Sequence, residues 1–150
     1  MIKFIQIFLI ATVLSGCSYE PILLKKNYNI GFNNITSDGE KNVNEIIINK
    51  LSKKENINNE KNYDIYFTTR KIRETVSSNR KGDPKIYRIK IKLTYNLIEN
   101  NKIILKNEIL KQATYNNKDD KLELLKYEEN LIRNLSEKLA EDVLISVTAF

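Results

Sequence analysis

Hydrophobic and polar residues alternate most regularly between positions 87 and 97. Six apolar residues share one phase of this alternation: Tyr87, Ile89, Ile91, Leu93, Tyr95 and Leu97. The other phase holds Arg88, Lys90, Lys92, Thr94 and Asn96. A period of two residues predicts a β-strand with one buried and one solvated face. A slip of one residue would bury three cations, so the register of this strand is strongly specified.

Shorter alternations predict three further strands. The first runs from Tyr28 through Ile30 and Phe32 and ends near Ile35. The second opens with Tyr63, Ile65 and Phe67, continues less regularly over residues 68–76, and is followed by turn-rich residues 77–84. The fourth contains Ile103, Leu105, Ile109, Ala113 and Tyr115 in one phase. It follows the third after the short turn Glu99–Lys102, which predicts an antiparallel hairpin.

Two segments have the period of an amphipathic helix. Ser37, Asp38, Gly39 and Glu40 spell a capping box that predicts a helix start. Its apolar face contains Val43, Ile46, Ile47 and Leu51, and the polar residues 52–62 end it. Residues 116–120 supply caps for a long C-terminal helix. The apolar stripe of that helix contains Leu124, Leu131, Ile132, Leu135, Leu139 and Val143.

The predicted order is therefore strand, helix, three strands, helix. A sheet with one apolar face needs a cover, and two helices with one apolar stripe each supply it. The sequence predicts an α+β two-layer sandwich in which a mostly antiparallel sheet is covered on one face by two helices. Residues 27–150 form this single domain.

The start of the chain has the layout of a secretory signal. A charged Met1–Lys3 precedes an apolar run from Phe4 to Leu14, and Ser15 and Gly16 lead to Cys17. The run is shorter than the roughly 20 residues that a membrane helix needs. The stretch Leu14–Cys17 resembles the lipobox of bacterial lipoproteins, which predicts cleavage before Cys17 and attachment of diacylglycerol and an N-acyl chain there. Residues 1–16 are then the signal peptide and 17–26 a lipidated tether; the alternative is a buried thiol.

Composition excludes most catalytic chemistry. The chain has no histidine, which excludes Ser-His-Asp and Cys-His catalysis and zinc sites built from His and Cys. Ser78 and Lys81 match the spelling S-x-x-K by chance, because the companion motifs are absent. The carboxylate pairs Asp119-Asp120 and Glu128-Glu129 fit a solvated helix face. We expect no enzyme, no metal and no cofactor other than the covalent lipid on Cys17.

Positive charge is concentrated between residues 70 and 92. The chain carries a net charge of +6, and this segment holds nine of its cations against Glu74 and Asp83. Arg88, Lys90 and Lys92 would project from one face at intervals of about 6.5 Å, which suits a ligand with several phosphates. The alternative is that these lysines only keep the sheet soluble. We expect no nucleic-acid partner, because the predicted signal would export the chain and the basic face lacks aromatic side chains for base stacking.

Three stretches resemble the LptE family of lipopolysaccharide-assembly lipoproteins, in its divergent alphaproteobacterial form. They are the start Cys17-Ser18-Tyr19-Glu20-Pro21-Ile22, the basic strand Tyr87–Leu97, and the strand end Ala113-Thr114-Tyr115 before an acidic C-terminal helix. Ser18, Tyr19 and Ile22 are conservative departures from the opening of the family.

The resemblance implies a lipid-anchored, periplasm-facing outer-membrane protein that plugs and helps assemble the LptD β-barrel translocon. It also implies lipopolysaccharide as a ligand, with Arg88, Lys90 and Lys92 as candidate binding residues and Arg70 from the neighbouring strand. The alternative function is that of a generic lipoprotein scaffold or accessory subunit in another envelope complex, for barrel assembly or peptidoglycan-synthase activation.

Overall fold

Four strands form one sheet in the order β1-β2-β3-β4, and two helices cover one of its faces. The computed structural model describes residues 30–52 and 61–150. The elements are β1 (Ile30–Gly39), α1 (Lys41–Ser52), β2 (Lys61–Ser78), β3 (Pro84–Glu99), β4 (Lys102–Asn116) and α2 (Lys121–Thr148). This order and the two-layer α+β architecture confirm the sequence prediction. The predicted signal peptide, the tether and Tyr28 lie outside the described residues.

The sheet is antiparallel except at one edge. β2 pairs antiparallel with β3, and β3 pairs antiparallel with β4. β1 pairs parallel with β2, because α1 carries the chain back across the sheet between these two strands. The long β2-β3 hairpin therefore forms the centre of the domain.

The apolar phase of β3 forms the centre of the core. Its six predicted residues are each at most 8% exposed, and Ile91, Leu93 and Leu97 are fully buried. They pack between the sheet and the helices together with residues of both helices, such as Ile47 and Leu139. The predicted register of this strand is confirmed.

The turn between β3 and β4 has the conformation that a tight hairpin requires. Asn100 and Asn101 both have positive φ angles, 50° and 59°, which asparagine tolerates better than most residues. The register shifts just after this turn. As a result Ile103 is 61% exposed, so its predicted place in the inward phase is wrong; Ile104, the extra residue of the bulge, packs against the core instead.

The start of α1 differs from the prediction. Ser37 does not cap the helix: β1 continues to Gly39, beyond the predicted end near Ile35, and Ser37 pairs with Phe67 of β2. The capping box was overridden because this segment gains a longer ladder of strand pairing with β2. Gly39 takes a φ of 98°, and a Cβ there would lie 2.0 Å from the carbonyl oxygen of Thr69.

Two buried polar side chains replace the predicted cap. The Glu40 amide donates to Thr69 Oγ1 at 3.1 Å, and the Thr69 hydroxyl donates to Asn44 Oδ1 at 2.5 Å. The Asn44 amide in turn donates to the carbonyl oxygen of Asp38 at 3.1 Å. Thr69 and Asn44 are 3% and 6% exposed, so water cannot readily take over these bonds. This polar link fixes the end of β1, the start of α1 and β2 relative to one another.

The C-terminal helix begins and packs as predicted. The Asp120 carboxylate accepts from the amides of Leu122 and Glu123 at 2.8 and 3.2 Å, which caps α2. The predicted stripe is buried at Leu124, Leu135, Leu139 and Val143, while Leu131 and Ile132 pack at its border. None of the helices in the described ranges is long and apolar enough to cross a bilayer.

Thr69→Val tests the polar link at the start of α1. The substitution keeps the shape of the side chain but leaves the Glu40 amide and Asn44 Oδ1 without their partner. We expect the free energy of unfolding, measured by urea denaturation, to fall by about 1–3 kcal/mol. Thr68→Val, at the adjacent exposed position, should change it by less than about 0.5 kcal/mol. Equal effects of the two substitutions would contradict this role of Thr69.

Candidate ligand-binding surface

Arg88, Lys90 and Lys92 lie on the face of the sheet that the helices leave uncovered. They alternate along β3 with Ile89 and Ile91, which are 1% and 0% exposed on the helix side. Because side chains alternate between the two faces of a strand, the three cations lie in one row. The register that builds the core therefore also builds this row.

The neighbouring strand adds Arg70 to the same surface. In the antiparallel register, Arg70 lies opposite Lys92, Ile72 opposite Lys90, and Glu74 opposite Arg88. Like charges directly opposite each other repel, so the pair of Arg70 and Lys92 is unfavourable unless an anion lies nearby. The structure thus brings together all four cations that were predicted from the sequence as candidate binding residues.

Glu74 neutralises part of this row. Its Oε1 atom lies 2.8 Å from Lys90 Nζ and 3.2 Å from Arg88 Nη1. The hydrogen bond from Lys90 is the main reason that the pKa of the Glu74 carboxyl is below its usual range, and the bond from Arg88 adds to the effect. Glu74 is therefore ionised at neutral pH and shared between two cations.

Glu108 of β4 neutralises a third cation. Its carboxylate lies 2.7 Å from Lys92 Nζ, and both side chains are about half exposed. Arg70 forms no ion pair with any carboxylate in residues 30–52 and 61–150. Exposed ion pairs add little net stability, because water already solvates both charges. An incoming polyanion can therefore take over these cations.

Two exposed apolar side chains lie among the cations. Ile72 is 42% exposed beside Lys90, and Leu110 of β4 is 53% exposed opposite Lys92. We call this surface the basic face and define it by Arg70, Ile72, Glu74, Arg88, Lys90, Lys92, Glu108 and Leu110. Its four cations outnumber its two carboxylates. The basic face therefore offers both positive charge and apolar contact.

Two other cations of the segment lie on the opposite side of the sheet. Lys71 and Arg73 are one and three residues from Arg70, so the alternation of the strand turns them to the opposite face, towards the helices. Lys71 pairs there with Glu40 at 3.4 Å, and Arg73 pairs with Glu128 of α2 at 3.0 Å. The positive charge concentrated in residues 70–92 is therefore divided between the two faces of the sheet.

Arg73 is the centre of an aromatic cluster that holds α2 against the sheet. Its guanidinium carbon lies 3.7 Å from the centre of the Tyr87 ring, and its Nε atom donates to Tyr115 Oη at 3.1 Å. The Tyr115 hydroxyl donates to the same Glu128 oxygen at 2.6 Å. Burial, and then the bond to Glu128, raise the pKa of Tyr115 to about 12. Burial lowers the pKa of Arg73, but its bonds to Tyr115, Tyr87 and Glu128 outweigh this and raise it.

The turn between β2 and β3 presents two further cations, Arg80 and Lys81, both exposed. Asn79 organises this turn: its Oδ1 atom accepts from the amides of Lys81 and Asp83 at 2.8 and 2.9 Å. Gly82 takes a φ of 90°. The turn is therefore built by its own hydrogen bonds and leaves its cations directed outwards.

The side chains that could suggest catalysis have other surroundings. Ser78 ends β2 rather than starting a helix, so it lacks the setting that an S-x-x-K serine needs. Asp120 caps α2, and Glu128 binds Arg73 and Tyr115. In the part of the chain that the structure describes, no group of three or more potential ligands could hold a metal ion.

Sequence reasoning missed the two carboxylates of the basic face. Glu74 has the same parity as Arg70, so continued alternation along β2 was a usable signal. Glu108 also lies out of phase with the predicted inward residues Leu105 and Ile109, but its position opposite Thr94 depends on the register shift after the β3-β4 turn. Without that extra residue, Asn107 would lie opposite Thr94 instead.

Comparison with known proteins identifies relatives by sequence model and by fold. Residues 29–147 match the family model LptE, described as lipopolysaccharide-assembly. No curated protein is similar enough in sequence to count as a match.

Several solved structures share the fold. Rare lipoprotein B from Shewanella oneidensis aligns with a TM-score of 0.59 and 14% identity, covering 78% of this chain and 95% of that chain. Lipoprotein B from Nitrosomonas europaea aligns with a TM-score of 0.60 and 12% identity, covering 85% and 90%. A lipoprotein from Caulobacter crescentus CB15 aligns with a TM-score of 0.56 and 12% identity, covering 82% and 90%. At these identities the likeness concerns the fold.

The pKa of Glu74 tests the charge pairing of the basic face. Lys90→Gln should raise this pKa towards the ordinary value for glutamate, because it removes the strongest bond to the carboxylate. Lys92→Gln, whose lysine binds Glu108 instead, should leave it unchanged. Carboxyl titration by 13C NMR measures both. An unchanged pKa in Lys90→Gln would contradict the pairing.

The lowered pKa of Glu74 determines in which direction the stability of the fold changes with pH. A carboxyl whose pKa is lower in the folded protein than in the unfolded chain stabilises the fold above its unfolded pKa. This contribution is lost as the pH falls through its folded pKa. The stability difference between the native chain and Lys90→Gln should therefore shrink in acid.

Proposed function

Because the chain belongs to the LptE family of lipopolysaccharide-assembly proteins, we propose that it is an outer-membrane lipoprotein that plugs an LptD-like β-barrel and binds lipopolysaccharide during export. The match to the family over residues 29–147 carries this proposal. The chain takes part as a binding and assembly subunit, and we assign it no chemical step.

The basic face has the chemistry that lipopolysaccharide requires. The lipid part of this glycolipid carries phosphates and acyl chains, so it needs cations and apolar contact side by side. Arg70 supplies a planar fork of donors for a phosphate, and Lys90 and Lys92 supply compact charges. Ile72 and Leu110 lie within the same surface and offer apolar contact.

The counter-ions of the basic face suit a transient contact. In the free protein, Glu74 and Glu108 hold three of the four cations in place. A phosphate that binds these cations has to displace the carboxylates, which makes the free energy of binding less favourable. A transport protein has to release its cargo, so moderate affinity is consistent with this role.

The anchor is proposed at Cys17, which lies outside the described residues. Each buried methylene of an acyl chain contributes about 0.8 kcal/mol, so two or three chains on Cys17 would make a stable anchor while one would not. The folded domain would then face the periplasm. Ser18 after the cysteine agrees with outer-membrane sorting, since the inner-membrane retention signal of enteric bacteria is aspartate at this position.

Affinity purification from detergent-extracted membranes tests the partnership. The tagged chain should recover a large outer-membrane β-barrel. Recovery of a peptidoglycan synthase or of the barrel-assembly machinery instead would favour the scaffold alternative and contradict the plug. In the same material Cys17→Ala should incorporate no radiolabelled palmitate, and normal incorporation would contradict the anchor.

Charge reversal tests the basic face. The double variant Lys90→Glu and Lys92→Glu should bind immobilised lipopolysaccharide at least about tenfold more weakly, because two charge-assisted contacts become repulsive. Binding of the native chain should also weaken as salt rises. The matched control is Lys126→Glu with Lys138→Glu, which changes the net charge equally on the exposed side of α2. Equal losses in both variants would show a non-specific charge effect and contradict a site on the basic face.

A further inference from the structure

The two edges of the sheet differ in how well they are protected. β1, at one edge, spans 10 residues and its register shifts between Phe32 and Asn34. Bulges and short strands are common protections of an exposed sheet edge. β4, at the other edge, keeps a regular register with β3 from Leu105 to Asn116 and contains no proline. The edge of β4 is therefore the longer and more regular of the two.

Alternate residues of β4 direct their backbone groups away from β3. This alternation is a property of every antiparallel pair. The Glu108 amide identifies the outward set, because it donates to the side chain of its neighbour Asn107 at 2.8 Å instead of to β3. Leu110, Gln112 and Thr114 belong to the same set. Within the described ranges, no backbone group or side chain bonds to their outward amides.

Side-chain capping of the outward amides stops at Glu108. Beyond it the strand carries an aliphatic side chain on each face, together with the polar residues Lys111, Gln112 and Thr114. Leu110 is 53% exposed on the basic face, and Ile109 is half-buried on the helix side. A regular edge with unpaired amides and apolar side chains on both faces is a template for another strand.

The charges along the edge favour a foreign strand over a second copy of this chain. β4 carries Lys102, Lys106, Glu108 and Lys111. Glu108 is bound to Lys92, and Lys111 is bound to Asp142 of α2, so Lys102 and Lys106 are the lysines of β4 without an ion pair in the described ranges. In antiparallel self-pairing about Leu110, Lys106 would lie opposite Thr114 of the second copy and would meet no carboxylate there. A second copy would also bring together two chains of net charge +6. A strand with carboxylates meets neither obstacle.

We propose that the edge of β4 from Leu110 to Thr114 binds an extended, acidic segment of another polypeptide as a fifth strand of the sheet. Main-chain hydrogen bonds to Leu110, Gln112 and Thr114 would give the affinity. Lys106, which has no ion pair in the described residues, would select a carboxylate on the added strand. This surface is separate from the cations of the basic face, and the proposal does not depend on lipopolysaccharide binding.

The probe is a nine-residue peptide, blocked at both ends, in which valine and threonine alternate and glutamate replaces the third and seventh residues. It is titrated into the 15N-labelled, processed chain in detergent and followed by NMR. The amides of Leu110, Gln112 and Thr114 should exchange with solvent about tenfold more slowly at saturation, while the amides of β1 should not change. A peptide with lysine in place of glutamate should bind more weakly, and one with alternate amides N-methylated should not bind.

Gln112→Pro and Gln112→Ala separate the backbone from the side chain. Proline removes the outward amide and is tolerated where that amide faces solvent, so the fold should persist. It should weaken peptide binding about tenfold, as expected for one lost hydrogen bond and the added steric clash. Alanine keeps the amide and should bind as the native chain does. If the proline variant unfolds, the N-methylated peptide decides the question with the native chain.

Four results would overturn the proposal. They are equal binding by Gln112→Pro, equal binding of the N-methylated peptide, protection at amides outside β4, and slow exchange of the β4 amides without peptide. The last result would mean that the edge is already covered. Sedimentation would then show whether a second copy covers it, and removal of residues 17–29 would show whether the chain covers its own edge.

Discussion

The alternation along β3 is the constraint on which the rest of the domain depends. β3 pairs with β2 on one side and β4 on the other, and six of its residues form the centre of the core. A slip by one residue would move Arg88, Lys90 and Lys92 under the helices, where no water could solvate them. The same register therefore determines both what holds the fold together and which cations face outwards.

Patterns with a local cause were predictable from the sequence. The strands, the asparagine turn and the Asp120 cap each depend on residues close together in the chain. The capping box at Ser37 failed because pairing with β2, about thirty residues away, outweighs a local motif. The prediction that Ile103 faces the core was wrong because one extra residue in β4 changes which side chain points inwards, and no residue of the sequence indicates that bulge.

The cations of the basic face could be predicted from the sequence, but the ion pairs that partly neutralise them could not. Arg88, Lys90 and Lys92 could be placed by parity alone. That Glu74 and Glu108 hold these cations requires the pairing of three strands, which becomes known only with the registers on both sides of β3. Because the pairs are exposed, they orient the lysines without cancelling their attraction for a more highly charged anion.

The alternation of side chains along β2 also places two arginines, Arg70 and Arg73, on opposite faces of the sheet, where they have different roles. Arg73 lies on the helix side at the end of the sheet that the shorter α1 does not reach. There its flat guanidinium covers Tyr87 while the Arg73 side chain as a whole remains 43% exposed. An aliphatic side chain in this place would leave apolar surface in water. Its bonds to Tyr115 and Glu128 then tie the first turns of α2 to β2 and β4. Arg70, three residues earlier, faces the other side and has no such partners in the described residues. Composition alone would count both arginines as ligand-binding cations. The alternation of the strand instead places Arg73 at the boundary of the core and leaves Arg70 on the basic face, where it can bind an anion.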